Sequence, residues 1–201
     1  MKVALIGATG KIGSKVLREL KSRGHSVTAI SRNPHGAVEA SGHVVHDAGD
    51  PAHLALELKG HDAVISAAPF APGLSGRIID AVKLSGVKRY IMVGGAGSLE
   101  VSPGVMLKDT LTLPDAIRAI LDEASNNLKR LRTEHDLEWT FFSPAAEIGP
   151  GERTGKFRLG GDQLVKDAEG KSQISYDDYA IALVDELEQG RHIRKRFTIA
   201  Y

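Results

Sequence analysis

The sequence predicts an α/β fold with a doubly wound parallel sheet and a small C-terminal portion. Short apolar runs alternate with amphipathic stretches through the first two thirds of the chain. This is the order of βαβ units whose strands are buried on both faces. No internal repeat or long linker divides the 201 residues, of which 42% are apolar and 25% charged. We therefore expect a single domain over residues 1–201.

The first half of the chain predicts four strands and three helices. The strands are expected at residues 3–6, 26–30, 43–46 and 63–66. The apolar stripes of the helices are Ile12, Val16, Leu17 and Leu20, then Leu54 and Leu58, then Ile78, Ile79 and Val82. Asp50 followed by Pro51 suits the start of the second helix, and Gly24 suits the end of the first.

The second half continues the alternation and then changes character. Strands are expected at 90–93, 139–143, 157–159 and 197–200, with a long loop over 94–111. A helix after Pro114 is predicted to face the core through Ile117, Ile120, Leu121, Ala124, Leu128 and Leu131. Another carries Ala180, Leu183, Val184 and Leu187. From Pro144 on, the chain is denser in glycine and charge.

Composition and charge exclude several classes of protein. With 26 Lys and Arg against 25 Asp and Glu, the formal charge of +1 offers no field that would attract nucleic acid or an anionic membrane. There is no Cys, which excludes disulfides and thiolate chemistry. The eight His residues show no paired metal-ligand spacing, and no Gly-x-Ser-x-Gly turn is present. We expect a cytoplasmic protein that binds a small molecule and no metal.

A glycine-rich turn, Gly7-Ala8-Thr9-Gly10-Lys11-Ile12-Gly13, joins the first strand to the first helix. Gly7 permits the sharp turn, Gly10 lets backbone N–H groups approach a pyrophosphate, and Gly13 lets the helix pack on the strand. The helix N-terminus adds partial positive charge. The turn therefore predicts a dinucleotide site, the alternative being a turn that binds nothing. A P-loop is excluded because no Gly-Lys-Ser or Gly-Lys-Thr closes the motif.

The end of the second strand bears on which dinucleotide binds. An acidic residue there accepts the ribose hydroxyl of NAD, whereas this chain reads Ser31-Arg32. Arg32 can bind a phosphate and stack on adenine, and Ser31 can donate a second hydrogen bond. We therefore predict NADP(H) in preference to NAD(H), the alternative being a solvated surface arginine. Asp47 could accept from the adenine amino group or cap the following helix.

Five segments together resemble a known family. They are the glycine turn, His46-Asp47, Asp62-Ala63-Val64-Ile65-Ser66-Ala67, Ser143-Pro144-Ala145 and Ile174-Ser175-Tyr176-Asp177-Asp178-Tyr179-Ala180, the last read as the opening of a helix. In this order they resemble the atypical short-chain dehydrogenase/reductase group, with its NmrA-like, biliverdin-reductase-B-like and NADH-flavin-reductase-like members. The likeness spans nearly the whole chain and implies an NAD(P)-binding Rossmann domain. It also implies that residues 144–201 form a small C-terminal portion that covers the nicotinamide end, on the substrate side.

The resemblance also implies which residues bind the cofactor. By this likeness, the pyrophosphate is held by Gly7, Thr9, Gly10, Lys11, Ile12 and Gly13. The adenosine phosphate is held by Ser31 and Arg32, and the adenine by Asp47. The central part of the cofactor is lined by Ala67, Ala68 and Pro69, and the nicotinamide is bordered by Ser143, Pro144 and Ala145. These positions agree with the rule that ligands lie at the carboxyl ends of parallel strands.

One departure from the wider superfamily bears on mechanism. The usual proton donor is a Tyr followed four positions later by Lys, and no such pair follows the fifth strand. Ser98 could hydrogen-bond a substrate oxygen, or it could cap a turn. The absence favours hydride transfer to a flavin, a quinone or another flat acceptor that takes its proton from solvent. Phe70, Met106, Phe142 and Phe157 could wall its pocket. The alternatives are a non-catalytic NADP sensor of the NmrA-like type and an epimerase or dehydratase.

Overall fold

The computed structural model describes residues 1–32, 40–45 and 48–201, and the fold is given for these ranges. The first half contains β1 Lys2–Ile6, α1 Lys11–Ser22, β2 Ser26–Ser31, β3 Gly42–Val45, α2 Pro51–Leu58, β4 Ala63–Ser66, α3 Leu74–Ser85 and β5 Arg89–Val93. The second half contains β6 Glu100–Ser102, β7 Val105–Met106, a 3₁₀ turn Leu107–Thr110, α4 Asp115–Arg132, β8 Glu138–Ser143, β9 Glu147–Gly149, β10 Arg158–Gly160, β11 Gln173–Ser175, α5 Tyr176–Gln189 and β12 Lys195–Ala200.

The central sheet has eight strands in the order β10-β12-β8-β5-β4-β1-β2-β3. All neighbours are parallel except β10, which pairs antiparallel with β12. The chain runs outward from β1 through β2 to β3, then returns to β4 on the other side of β1. The carboxyl ends of β1, β2 and β4 therefore diverge at a topological switch point, where α/β sheets bind ligands. The predicted doubly wound sheet is confirmed.

Two apolar layers cover the two faces of this sheet, because successive strand residues point to opposite sides. On one face, α1 and α5 cover the sheet, and Val3 and Leu5 of β1 belong to the same apolar cluster. On the other face, α2, α3 and α4 cover the sheet, and Ala4 and Ile6 of β1 belong to the same apolar cluster. All four of these strand residues are at most 3% exposed. The strands are thus covered on both faces, as the continuous apolar runs predict.

The predicted loop over 94–111 is wrong for part of its length. It contains a small antiparallel hairpin, β6–β7, followed by the 3₁₀ turn. Backbone hydrogen bonds from Leu107 N–H to Leu99 O (2.8 Å) and from Lys108 N–H to Gly97 O (3.0 Å) fold the hairpin back on its own start. The strands have three and two residues, too short for a period-two pattern to be visible.

The long stripe expected on α4 is only half correct. Ala124, Leu128 and Leu131 are buried against the sheet, but Ile117 and Ile120 are 44% and 42% exposed. An 18-residue helix is about 27 Å long, whereas the six-residue strand β8 spans about 20 Å. The first turns of α4 therefore extend past the carboxyl edge of the sheet.

The C-terminal segment contributes more to the central fold than expected. β12 lies between β8 and β10 inside the main sheet, and α5 packs beside α1. Only β9 and β11 form a separate two-stranded sheet beyond the end of β8. The helix predicted to open at Ile174 begins at Tyr176 instead, because Gln173–Ser175 is strand β11 and Ser175 caps the helix.

Candidate functional site

The turn after β1 has a geometry that only glycine can adopt. Gly7 has a φ of +81°, and a Cβ placed on it would lie 2.6 Å from the carbonyl oxygen of Ala67. A Cβ on Gly13 would lie 2.1 Å from the carbonyl oxygen of Gly7. The turn is therefore squeezed between the end of β4 and the first turn of α1, and the backbone itself forms the surface that a ligand would meet.

The N-terminus of α1 lies directly above this turn. Its N-cap is Gly10, which supplies no side-chain hydrogen bond, whereas Asp50 caps α2 by accepting from Ala52 N–H and His53 N–H. The first-turn N–H groups of α1 thus lack the side-chain acceptor that a helix of this kind commonly has. A bound phosphate oxygen would satisfy them and would gain from the helix dipole.

A cleft of about 380 Å³ opens at this edge of the sheet, between the ends of β1, β2 and β4. Eight of the predicted cofactor residues line it: Gly7, Thr9, Gly10, Ser31, Arg32, Ala67, Ala68 and Pro69. The rest of the lining is Ile6, Ile30, Ala48, Ala71 and Leu74, which the sequence reasoning missed. Their signal is weak, because apolar residues at strand ends and at a helix start look the same whether or not they border a ligand.

The end of β2 combines an exposed cation with a buried hydroxyl. Arg32 is exposed at the mouth of the cleft, while Ser31 is 8% exposed. The Ser31 Oγ and the His43 Nε2 on β3 are 3.0 Å apart. No carboxylate lines the cleft among the described residues. Asp47, the predicted adenine ligand, lies outside the described residues.

The other predicted cofactor residues lie beside the cleft without lining it. Lys11 is exposed at the first position of α1, Ile12 packs against the core, and Gly13 is buried in the close helix–strand contact. Pro144 and Ala145 are buried just past the end of β8, two strands away from β4. The structure thus gathers the predicted adenosine and pyrophosphate residues in one cleft and keeps the predicted nicotinamide residues in a separate position at the same edge.

Ser143, the last residue of β8, has a feature that fits a bound polar ligand. Its Oγ is completely buried and has no hydrogen-bond partner within the described ranges. Buried hydroxyls without partners are costly and rare. This unpaired hydroxyl could hydrogen-bond a ligand at the end of β8. Together with the glycine turn, it fits a dinucleotide that extends from the end of β2 toward the end of β8.

Ser98, the predicted catalytic hydroxyl, is not among the residues that line the cleft. It is 8% exposed, and its Oγ lies 3.4 Å from the Nη1 of Arg196, whose guanidinium is also buried. The Arg196 side chain further donates to the Ser98 carbonyl oxygen at 3.4 Å. These contacts give Ser98 a structural role in holding the start of the β6–β7 hairpin.

The tyrosines supply no proton donor of the usual kind. Burial raises the pKa of Tyr90 and of Tyr179, so neither phenol gives up its proton readily. The Tyr179 hydroxyl donates to the Phe142 carbonyl oxygen at 2.6 Å. Tyr201 donates to Asp178 at 2.8 Å. No Lys follows any of the chain's four tyrosines by four positions.

The predicted aromatic pocket is not formed as a unit. Phe142 is fully buried and stacks between Tyr179 and Phe197, with ring centroids 4.1 and 4.0 Å apart. Phe157 lies against α5 near His192, on another surface of the molecule. Phe70 does lie near the expected position, since a Cβ on Gly95 would come within 3.9 Å of its ring.

Two other kinds of functional feature are absent from the described residues. Among the described residues, no three His, Asp or Glu side chains come together in a way that could bind a metal ion. Within the same ranges, no helix combines the length and the apolar character needed to cross a membrane.

Comparison with known proteins now decides the family. A family model described as NAD(P)H-binding matches residues 7–190. This chain belongs to the NAD(P)H-binding family. The match includes the glycine turn, most of the residues that line the cleft and the end of β8. The predicted family resemblance is therefore confirmed.

One relative of this NAD(P)H-binding protein matches it over nearly its whole length, and another matches half of it. It is 41% identical over 210 residues to "Uncharacterized protein YwnB" of Bacillus subtilis, covering 99% of this chain and 98% of that protein. An NAD(P)H azoreductase of Xenophilus azovorans is 32% identical over 108 residues, covering 50% of this chain and 38% of the azoreductase. A reductase is thus among the proteins that this NAD(P)H-binding chain resembles.

Solved structures give the same fold at full length. A "putative exported protein" of Burkholderia pseudomallei is 48% identical with a TM-score of 0.90, covering 100% of both chains. A "putative epimerase" of Bacteroides thetaiotaomicron is 42% identical with a TM-score of 0.93, covering 100% of this chain and 96% of its own. A "putative NADH-flavin reductase" of Streptococcus pneumoniae is 36% identical with a TM-score of 0.86, covering 100% and 99%.

Proposed function

We propose that this NAD(P)H-binding protein is a reductase that uses NADPH in preference to NADH and transfers hydride to a flat acceptor such as a flavin or a quinone. The observation that carries the proposal is the cleft at the β1–β2–β4 switch point, with its glycine cradle and with Arg32 where an NAD-binding chain would have a carboxylate. The named reductases among its relatives support the same class of reaction.

The cleft residues would bind the cofactor through its phosphates. The N–H groups at the start of α1 would donate to the pyrophosphate, and the guanidinium of Arg32 would pair with the adenosine phosphate. Ala67, Ala68 and Pro69 leave the wall after β4 small and apolar, so the cofactor can lie flat across the strand ends. The bound cofactor would supply the hydride, and the protein would fix its position relative to the acceptor.

A flat acceptor fits the site better than a simple ketone. Reduction of a ketone needs a proton delivered to its oxygen, and this sequence has no tyrosine followed four positions later by the lysine that usually assists that step. A flavin or quinone accepts the hydride and takes its proton from water. Apolar side chains at the overhanging start of α4, Ile117 and Ile120, lie at the same carboxyl edge and would suit an aromatic ring system.

Turnover tests the reaction directly. Purified protein is mixed with NADPH or NADH, binding is followed by nicotinamide fluorescence, and absorbance loss at 340 nm is followed after adding FMN or a quinone. We expect NADPH to bind more tightly and to be oxidised when the acceptor is present. Tight binding of NADPH without turnover on any acceptor would favour the non-catalytic sensor, which the missing Tyr-Lys pair also allows.

Arg32→Asp tests the cofactor preference. We expect the Kd for NADPH to rise about 30-fold, equivalent to about 2 kcal/mol, because a charge-assisted contact is replaced by repulsion. The Kd for NADH should change less than threefold. Lys88→Asp, an exposed cation at the opposite edge of the sheet, serves as the control and should leave both constants unchanged. Equal loss for NADPH and NADH would show that Arg32 does not read the phosphate.

A further inference from the structure

A second groove lies at the same edge of the sheet, past the end of β8. Its volume is about 610 Å³, and it lies between the β6–β7 hairpin with its 3₁₀ turn and the segment before β11. Ala146, which lines it, directly follows the Pro144–Ala145 pair predicted to border the nicotinamide. The groove therefore begins where the reactive end of the cofactor is expected.

The groove has an apolar wall and a cationic rim. Val101, Leu107 and Leu164 are partly buried and supply the apolar part of the lining. Lys166 and Lys171 are exposed and also line it. Such a surface suits a molecule with a flat apolar body and an anionic substituent.

A tight turn holds the two lysines on the same side. Asp167 N–H donates to Lys171 O at 2.8 Å, and Lys171 N–H donates to an Asp167 carboxylate oxygen at 2.7 Å. Gly170 completes the turn with a φ of +81°. The guanidinium of Arg158 on β10 donates to Lys166 O at 2.8 Å and so fixes this turn to the main sheet. The backbone positions of both cations are thus defined by the fold.

The charges on the lining favour an anion. Within the described ranges, neither the Lys166 nor the Lys171 ammonium has a carboxylate within 4 Å. Glu147 is the acidic residue on the lining, and its carboxylate accepts a hydrogen bond from the Gln173 amide at 2.8 Å. Two lysines against one glutamate leave the lining with one excess positive charge.

We infer that this groove binds the acceptor of the proposed reductase, and that Lys166 and Lys171 bind an anionic group, a phosphate or a carboxylate, on that acceptor. The inference rests on the proposed function and adds to it the chemical class of the substrate. FMN and riboflavin share one ring system and differ by a phosphate, so they form a matched pair of probes. Anthraquinone-2-carboxylate and its methyl ester form a second pair that tests the carboxylate.

Binding is measured first without any nicotinamide, by the fluorescence anisotropy of FMN and of riboflavin. We expect the unmodified protein to bind FMN about tenfold more tightly than riboflavin, since two exposed charge contacts are lost with the phosphate. In the double variant Lys166→Gln/Lys171→Gln the two constants should become equal while the riboflavin value stays unchanged. Lys88→Gln, at the opposite sheet edge, should behave as the unmodified protein.

The second pair and turnover separate the possible outcomes. The unmodified protein could prefer anthraquinone-2-carboxylate to its methyl ester while binding FMN and riboflavin equally. If the double variant loses that preference, the anion is a carboxylate. Equal binding within both pairs, or a preference that survives in the double variant, overturns the inference. NADPH oxidation with riboflavin but without any anion preference would leave the proposed function intact. An anion preference without NADPH oxidation would support the groove and contradict the reductase.

Discussion

At the scale of single residues, Gly7 shows how little freedom the binding turn has. Its positive φ alone would favour glycine, but Gly24 has the same φ of about +80° with no atom within 4 Å of a Cβ placed there. Gly7 differs because the backbone of Ala67 occupies the place that a side chain would need. The two glycines therefore separate the cost of backbone conformation from the cost of crowding.

Replacing each glycine with alanine measures these two costs. Gly24→Ala should lower the free energy of unfolding by about 1 kcal/mol, the cost of a left-handed alanine. Gly7→Ala should cost about 3 kcal/mol, because the β1 and β4 ends must also move apart. It should in addition abolish NADPH binding. Urea unfolding and nicotinamide fluorescence check both effects, and similar stability losses in the two variants would contradict the crowding.

The sequence predicts which residues line the cleft best where their backbone geometry is special. The glycine turn and the Ser31-Arg32 end of β2 could be located because glycine spacing and strand order define them. Ala71 and Leu74 could not, since nothing in their chemistry marks them as cleft residues. Ser98 lies within the predicted loop, but its partner Arg196 belongs to a strand about 100 residues later in the chain. Hydrophobic periodicity contains no information about such a distant contact.

At the scale of elements, the predictions fail where an element's length or partner depends on the rest of the fold. The apolar stripe of α4 shows which face is inward, but it does not show that the helix is longer than the strands beneath it. The short strands β6, β7, β9 and β11 have three residues or fewer, and backbone pairing defines them. Strand and helix order, in contrast, follows directly from the alternating apolar runs.

Arg196 connects three elements around one carboxylate. Its Nε donates to an Asp162 carboxylate oxygen at 2.6 Å, and its Nη2 also reaches the Ser98 carbonyl oxygen. Arg132 on α4 donates to the same carboxylate at 2.7 Å from an exposed position. Burial lowers the pKa of Arg196, while the hydrogen bond to Asp162 opposes that shift. Arg196 thereby joins β12 to the β6–β7 hairpin and to the residues that follow β10.

These two arginines make a matched comparison. Arg196→Ala should reduce the free energy of unfolding by about 2 kcal/mol, because a buried, hydrogen-bonded side chain is lost. Arg132→Ala should cost less than about 0.5 kcal/mol, since exposed ion pairs contribute little. Arg196→Ala should also speed amide exchange over residues 98–107. Equal destabilisation by both changes would show that burial at Arg196 is unimportant.

At the scale of the whole molecule, a buried carboxylate ties the C-terminal elements to the preceding segment. Asp178 in the first turn of α5 is completely buried. It accepts hydrogen bonds from Thr154 N–H and hydroxyl, Gly155 N–H and the Tyr201 hydroxyl, at 2.7–3.2 Å. Burial alone would raise the pKa of Asp178, but these hydrogen bonds hold it below the usual value. The ionised form therefore stabilises the fold.

Acid should consequently weaken the protein through this group. A carboxyl whose pKa is lower in the folded state stabilises above its unfolded pKa, near 3.8, and this contribution is lost as the pH falls below that value. Asp178→Asn should lower the free energy of unfolding at pH 7 by about 2 kcal/mol, and this free energy should then fall less steeply as the pH drops below about 4. Tyr201→Phe, which removes one donor, should give an intermediate slope. Urea unfolding across this range checks it, and parallel curves for all three proteins would contradict the assignment.

The two apolar layers on either side of the sheet share no side chain, so neighbours in sequence such as Phe141 and Phe142 belong to different interiors. The apolar wall of the cofactor cleft, including Ile6, Ile30 and Leu74, belongs with the layer of α2, α3 and α4. Stabilising core mutations can therefore be placed in the layer of α1 and α5, on the other face of the sheet from this wall. Core changes between α5 and the later turns of α1 should leave Ile6, Ile30 and Leu74 as they are, whereas the first turn of α1 must be kept because it meets the nucleotide.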